Sequence, residues 1–159
     1  MPKKYVSSIS FHFVQRFYFP NRTAVKDVVA GIGRKYSKEV FELTYVFCDD
    51  KYLLDINRRF LQHDYYTDIL SFELSDVKNQ VSGEVYISVD RVRENAESLD
   101  EPFGEELARV IFHGALHLCG LKDKSSREIA LMRAEENYFL ERLRRRLFHV
   151  KQKRKRSST

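Results

Sequence analysis

Val40-Phe41-Glu42-Leu43-Thr44-Tyr45-Val46-Phe47-Cys48-Asp49-Asp50 is a run of β-branched and aromatic residues that stops at two aspartates. It reads as a strand followed by a helix cap. Upstream, Ser8, Ser10 and His12 alternate with Ile9, Phe11 and Phe13, so Val6 to Phe13 is a half-buried strand. Pro20 and Asn21 break it, and Val25, Val28, Val29, Ile32 and Tyr36 recur at helical spacing, which predicts an amphipathic helix over Thr23 to Tyr36, weakened by Gly31 and Gly33. That glycine pair follows no strand and so has little of a phosphate loop about it. Downstream, Leu53, Leu54, Ile56, Asn57 and Phe60 make a short helix, and a polar stretch from Gln62 to Asp68 leads into Ile69 to Leu74. After a turn around Lys78 to Ser82, Gly83 to Val89 forms a strand expected to neighbour the previous one. Helices then follow from Asp90 to about Leu99, from Pro102 through Leu118, and from about Ser126 to Phe148. Pro102 suits a first helical turn, Gly120 a C-terminal stop, and Ser125 with Glu128 a capping box. The order βαβαββααα predicts a single α+β domain: a small four-stranded sheet packed with helices.

The chain has 159 residues, 43% of them hydrophobic, and a domain of this size buries about two-thirds of its unfolded surface without disulfides. Cys48 and Cys119 are too few and too far apart for a disulfide framework, which points to a reducing compartment. No apolar run approaches a membrane span or a signal core, so the expectation is a soluble, cytoplasmic protein. The formal charge is +5, and it is unevenly placed. Residues 141–159 hold nine Lys or Arg and one Glu, while residues 1–140 hold nineteen basic against twenty-two acidic residues. The expected organisation is a domain over residues 1–150 and a basic, disordered tail over 151–159, which serves either as a solvated end or as a tether for nucleic acid.

The chemistry resides in Phe112-His113-Gly114-Ala115-Leu116-His117-Leu118-Cys119-Gly120-Leu121-Lys122-Asp123. On a helix His113 and His117 stand one turn apart on one face, with Cβ atoms about 5–6 Å apart. Two nitrogens on a tetrahedral zinc lie about 3.3 Å from each other, a gap that ring rotation closes. Gly120 permits the left-handed turn that reverses the chain, so Asp123 returns its carboxylate to the same point. Three ligands and an open fourth position are the pattern of a catalytic zinc site, one ion per chain. Cys119, two residues past His117, points about 200° around the helix from it and is instead a small buried apolar residue. The spacing is also similar to that of the metzincin peptidases, H-E-x-x-H-x-x-G-x-x-H, but the position of their general-base glutamate is Gly114 here. A zinc deaminase is excluded, because there is no H-x-E and no C-x-x-C.

The same segment resembles the YbeY endoribonucleases, rRNA maturation factors whose signature is close to H-G-x-L-H-L-x-G-Y-D-H. Both helical histidines and both glycines match. Asn57-x-x-Phe60, Asp64-x-x-Thr67-Asp68-Ile69-Leu70-Ser71-Phe72 and Gly83-Glu84-Val85-Tyr86-Ile87-Ser88 are similar, in the same order, to that family's N-x-x-[YF], D-x-P-T-D-V-L-S-F and G-D-I-x-I-S segments. The resemblance implies zinc-dependent cleavage of single-stranded RNA in maturation of the small-subunit ribosomal RNA 3′ end and in ribosome quality control, with ribosomal RNA and the ribosome as partners and no membrane. Two positions depart from the pattern. The third ligand, usually histidine, is Asp123, and the arginine to which phosphate contact is attributed is replaced by Leu61. Arg58, Arg59 and His63 lie near enough to be phosphate-contact candidates, with a solvated helix end as the alternative for the two arginines. Thr67, Asp68 and Ser71 are read as architecture around the cleft. A metzincin-like metallopeptidase and a ribosome-associated binding module with a structural zinc are the rival functions.

Overall fold

The computed structural model describes residues 4–63 and 67–157. Along the chain come β1 (Val6–Phe13), α1 (Arg22–Lys35), β2 (Val40–Cys48), α2 (Asp50–Leu61), β3 (Ile69–Glu73), β4 (Gln80–Ser88), α3 (Val89–Ser98), α4 (Phe103–Leu118) and α5 (Ser126–Ser157). The strands form one sheet in the order β1-β2-β4-β3. β2 runs parallel to both β1 and β4, and β3 returns antiparallel along the outer side of β4. β2 is therefore an interior strand, and interior parallel strands read as nearly continuous apolar runs. This is why its limits are so legible in the sequence.

Helices cover both faces of this α+β domain. Phe41, Leu43, Tyr45 and Phe47 of β2 and Val81, Val85 and Ile87 of β4 point, at period two, into the main core beneath α1, α4 and α5. On the other face Cys48 and Leu70 meet Leu53 and Ile56 of α2 in a smaller cluster flanked by Phe72 and Tyr86. The starts of α2, α3 and α5 are fixed by side-chain caps. Asp49 accepts the Tyr52 N–H at 2.7 Å, and Ser88 accepts the Arg91 N–H at 3.2 Å. Ser125 and Glu128 form the reciprocal capping box, with bonds of 3.1 and 2.9 Å. Pro102 occupies the N-cap of α4, one residue before the first turn expected for it.

The end of α5 departs from the sequence expectation. The helix does not stop near Phe148 but continues to Ser157, so residues 151–157, read as disordered, are helical. Two causes are visible. Leu143 and Leu147 keep the apolar stripe on the core, and Arg146 pairs with Asp27 of α1. Residues 151–157 are only Lys, Gln, Arg and one Ser, mostly good helix formers with no Gly or Pro to end the run. Among the described residues no helix is long and apolar enough to cross a membrane.

What positions the candidate site is the seating of α4 on the sheet. A Cβ added to Gly114 would lie 2.8 Å from Val85 Cγ1 and 3.0 Å from Ile69 Cδ1, and one added to Gly83 would lie 2.8 Å from Leu118 Cδ1. Helix and sheet therefore touch backbone to side chain at both ends of this contact. Between them the fully buried Tyr45 hydroxyl donates a 2.8 Å hydrogen bond to the Ile111 carbonyl of α4. Gly104, in the first turn of the same helix, has nothing within 4 Å of its would-be Cβ.

The same substitution at two sites of α4 should thus act in opposite directions. Gly104→Ala should gain up to about 1 kcal/mol of helix propensity. Gly114→Ala should lose more than that gain, because overpacking costs about 1–3 kcal/mol. Thermal unfolding reads the difference, at roughly 2–4 °C per kcal/mol for a domain of this size.

Candidate metal centre

The least buried stripe of α4 carries Arg109, His113 and His117 at successive turns, the first two half-buried, while Leu107, Ala108, Ile111, Phe112, Ala115 and Leu116 fill the core behind them. The two imidazoles stand edge to face with ring centroids 5.3 Å apart. The helix then ends in a Schellman motif. Gly120 takes φ 104°, its N–H bonds the His117 carbonyl at 3.0 Å, and the Leu121 N–H reaches back to the Leu116 carbonyl at 3.1 Å. Leu121 packs against the core and turns the chain home. Asp123 arrives between the histidines, with Oδ2 3.4 Å from His113 Nε2 and Oδ1 3.5 Å from His117 Nε2.

The structure thus brings together the three residues expected from the sequence: one donor atom from each of His113, His117 and Asp123 lies within 4.8 Å of the others. The carboxylate-to-imidazole spacings are close to the ~3.3 Å that separates two ligands of a tetrahedral zinc. Two nitrogens and one carboxylate oxygen are also a donor set that zinc accepts. Half-buried His113 forms the inner side of the cluster, and His117 and Asp123 face solvent.

A fourth residue sets the chemistry of the first. Glu136 of α5 is buried, with Oε2 2.8 Å from His113 Nδ1 and Oε1 accepting from Arg109 at 3.1 Å. Burial pushes the Glu136 pKa up, but the hydrogen bonds from His113 and Arg109 and the charges around it outweigh burial and hold it below the usual carboxylate range. An ionised carboxylate only accepts, so His113 donates from Nδ1, and in the neutral ring the Nε2 lone pair faces Asp123. Burial opposes charging of His113, yet Glu136, Asp123 and Asp68 together raise its pKa. A carboxylate behind a histidine, fixing its tautomer and orientation, is the usual support of a metal-ligating imidazole. Glu136 had a sequence signal: it is an acid on the stripe Met132, Phe139, Leu140, Leu143 that α5 turns to the core. Arg109, one turn before His113, was equally readable.

Two hollows open on either side of the cluster. One, of about 330 Å³, is lined by Asp68, Arg109, His113, Asp123, Arg133 and Glu136 among others. The second joins His113, His117 and Asp123 to the Thr67–Ser71 segment. Asp68 borders both. Its side chain accepts from Asn95 of α3 at 3.3 Å, its carbonyl accepts the Ser88 N–H, and burial raises its pKa. Thr67 donates to the Ile69 carbonyl at 3.4 Å. Both residues hold the loop against its neighbours as well as bordering the cleft.

Arg58, Arg59 and His63 sit elsewhere. They are exposed at the C-terminal end of α2, whose core contacts lie on the sheet face opposite α4, and Arg59 pairs with Asp55 at 3.2 Å. None of the three lines either hollow. Asp64, the first residue of the loop motif, lies outside the described residues. Cys119 caps α4 and packs on the core, and burial pushes its thiol up to about 12, as suits a residue apart from the cluster. The absent side chain at residue 114 now has a cause. Val85 and Ile69 occupy the space, so the glutamate of the peptidase pattern has no room beside His113.

A helix pressed onto a mixed sheet, presenting two histidines and a returning carboxylate to an open cleft, defines a class: a small α+β domain built around a metal-type donor cluster. The chain belongs to the YbeY family, whose model, described as Endoribonuclease YbeY, matches residues 18–144. Endoribonuclease YbeY of Flavobacterium psychrophilum is 45% identical over 144 residues, 91% of this chain and 99% of that protein. Its namesake from Porphyromonas gingivalis is 50% identical over 123 residues, 77% of this chain and 81% of that one. The solution structure of TM1509 from Thermotoga maritima superposes with a TM-score of 0.59 at 26% identity, covering 87% of this chain and 89% of the other. The family is one of endoribonucleases, which are hydrolases.

The turn at Gly120 is what returns Asp123, and its φ is one that L side chains adopt at roughly 1–2 kcal/mol each. Gly120→Ala should lower stability by about that amount, and Gly120→Asn by less, because asparagine tolerates the left-handed region. Chemical denaturation with an unchanged m-value would show it.

Proposed function

We propose that this chain is a zinc-dependent, single-strand-specific endoribonuclease with one ion per chain held by His113, His117 and Asp123. Its substrate is single-stranded RNA, and its role is maturation of the small-subunit ribosomal RNA 3′ end and ribosome quality control, on the ribosome and in the cytoplasm. The observation that carries this reading is the convergence of the three donors in a cleft open on two sides, in a chain of the YbeY family.

A bound divalent ion supplies Lewis-acid polarisation of a phosphate oxygen or of water. The protein's own residues do the rest. Glu136 takes the Nδ1 proton of His113 in a hydrogen bond and aims Nε2 at the cleft, and Arg109 holds Glu136 in turn. Asp123 spans both histidines with its two oxygens. Its carboxylate in place of the family's histidine lowers the net positive charge of the site. Asp68 borders both hollows and holds the loop beside them. The peptidase reading loses its support with the steric closure at Gly114. Among the described residues the cluster has three donors, fewer than the four that structural zinc sites fill.

His117→Ala should abolish both stoichiometric zinc and cleavage of single-stranded RNA in purified protein. Unchanged zinc content and cleavage would sink the proposal. The ends of the products identify the attacking group, because a cyclic phosphate marks attack by the RNA's own 2′-hydroxyl. Glu136→Gln, which leaves all three ligands in place, should weaken zinc binding by roughly 10–100-fold, measured by competition with a chromogenic chelator.

A further inference from the structure

The cleft itself is poorly charged for a polyanion. Asp68, Glu106, Asp123 and Glu136 line one of its two hollows against Arg109 and Arg133, and both arginines are directed to Glu136. The excess positive charge of the molecule lies elsewhere. Residues 145–159 hold seven of the 28 lysines and arginines and none of the 23 acids, so residues 1–144 carry 21 against 23 and are net negative. This segment lies beyond the residue at which the family match ends.

The segment has a fixed place in the fold. α5 starts beside the cluster, where Met132, Arg133 and Glu136 line the cleft, and runs without a break to Ser157. Leu147 packs on the core, Arg144 pairs with Glu105 and Arg146 with Asp27. Further along, Val150 and Arg154 lie against the start of α1, sharing a hollow with Arg22. Lys151, Lys153, Arg154, Lys155 and Arg156 follow, all exposed, and Arg22 extends the basic surface sideways.

We propose that the end of α5, Lys151 to Arg156, is an arm that docks the phosphate backbone of the RNA whose scissile bond lies at the His113–His117–Asp123 cluster. The proposal rests on the reading of that cluster as an RNA-cleaving site and adds where the substrate's charge is met. It also fixes a length. At 1.5 Å per residue, Lys151 and Arg156 stand about 22 and 30 Å along the helix from Glu136. A stacked strand advances about 3.4 Å per phosphate, so roughly seven to nine nucleotides separate cleft from arm. Shorter RNA reaches one and not the other.

The test uses the full chain and a variant in which Lys151, Lys153, Arg154, Lys155 and Arg156 are all changed to Gln, a helix-compatible residue. Fluorescence anisotropy follows binding of a 5-nucleotide and a 20-nucleotide single strand across a salt series, with RNA integrity and cleavage followed on a gel. Each phosphate contact on a single strand contributes roughly 0.7 to the slope of log K against log salt. The variant should lose about 2–3 of that slope and at least tenfold in affinity on the 20-mer, while its cleavage of the 5-mer, which is too short to span cleft and arm, should fall less than twofold. Equal slopes and affinities on the 20-mer would overturn the proposal, as would equal losses of cleavage on both lengths. Should circular dichroism show that the five-fold variant loses helix, Lys151→Gln/Lys153→Gln gives the same reading with a smaller slope change. Sedimentation with phosphatidylserine vesicles provides the other arm: vesicle binding combined with an unchanged RNA slope assigns the surface to anionic lipid and overturns the proposal. Cleavage that persists without the arm's effect overturns the arm alone. An arm effect without any cleavage overturns the reading of the cluster and leaves the arm standing.

Discussion

The contact on which the rest depends is the close approach of α4 to β3 and β4. It exists because residue 114 has no side chain where Val85 and Ile69 press against the helix, and residue 83 has none where Leu118 does. Close packing of this kind fixes helix depth to tenths of an ångström, since interiors are as dense as organic crystals. Tyr45 adds a directional constraint by bonding a carbonyl of α4 from the middle of the sheet. With α4 fixed in depth and rotation, its one wet stripe carries Arg109, His113 and His117 into the cleft. The same closeness that positions His113 also denies a side chain to its neighbour, so the site's geometry and its departure from the peptidase pattern have one cause.

Electrostatic order in the site comes from a chain of single-purpose contacts. Arg109 charges the environment of Glu136, Glu136 fixes the proton of His113, and His113 offers its other nitrogen to the cluster. Each step places a charged or polar group in a half-buried setting, where an unpaired partner is costly. The result is an imidazole whose orientation is decided by the protein in advance of any ion. Asp123 fits this arrangement, because the Schellman turn at Gly120 brings its two oxygens within 3.5 Å of the two rings.

Charge is handled in two separate regions. Acids around the cleft suit a cation, and the basic residues that suit a polyanion are displaced to the far end of α5. One helix joins the regions: its first turns supply Glu136 and Met132 to the site, and its last turns carry the basic surface. A rod of this kind keeps a defined distance between the two, which a disordered tail would not.

Local pattern was enough for much of this molecule. The interior strand Val40–Cys48, the Asp49, Ser125 and Glu128 caps, and the His113, His117, Gly120, Asp123 spacing were readable because each depends on neighbours within one or two turns of the chain. The charge asymmetry was likewise plain from counting. Tertiary structure decided what depends on distant residues. Glu136 reaches His113 across 23 positions, and nothing near it in sequence announces a partner, although its place on an apolar stripe marks it as unusual. Gly114 looked like the loss of a catalytic acid and proved to be a steric necessity imposed by two strands. Arg58, Arg59 and His63 lie close in sequence to Leu61, where the resemblance points to a phosphate contact, but the sheet separates the core contacts of their helix from those of α4. The tail was misread for the same reason: composition records the charge of residues 151–157, while the packing of Leu143 and Leu147 and the ion pair from Arg146 to Asp27, made across the fold, keep those residues helical.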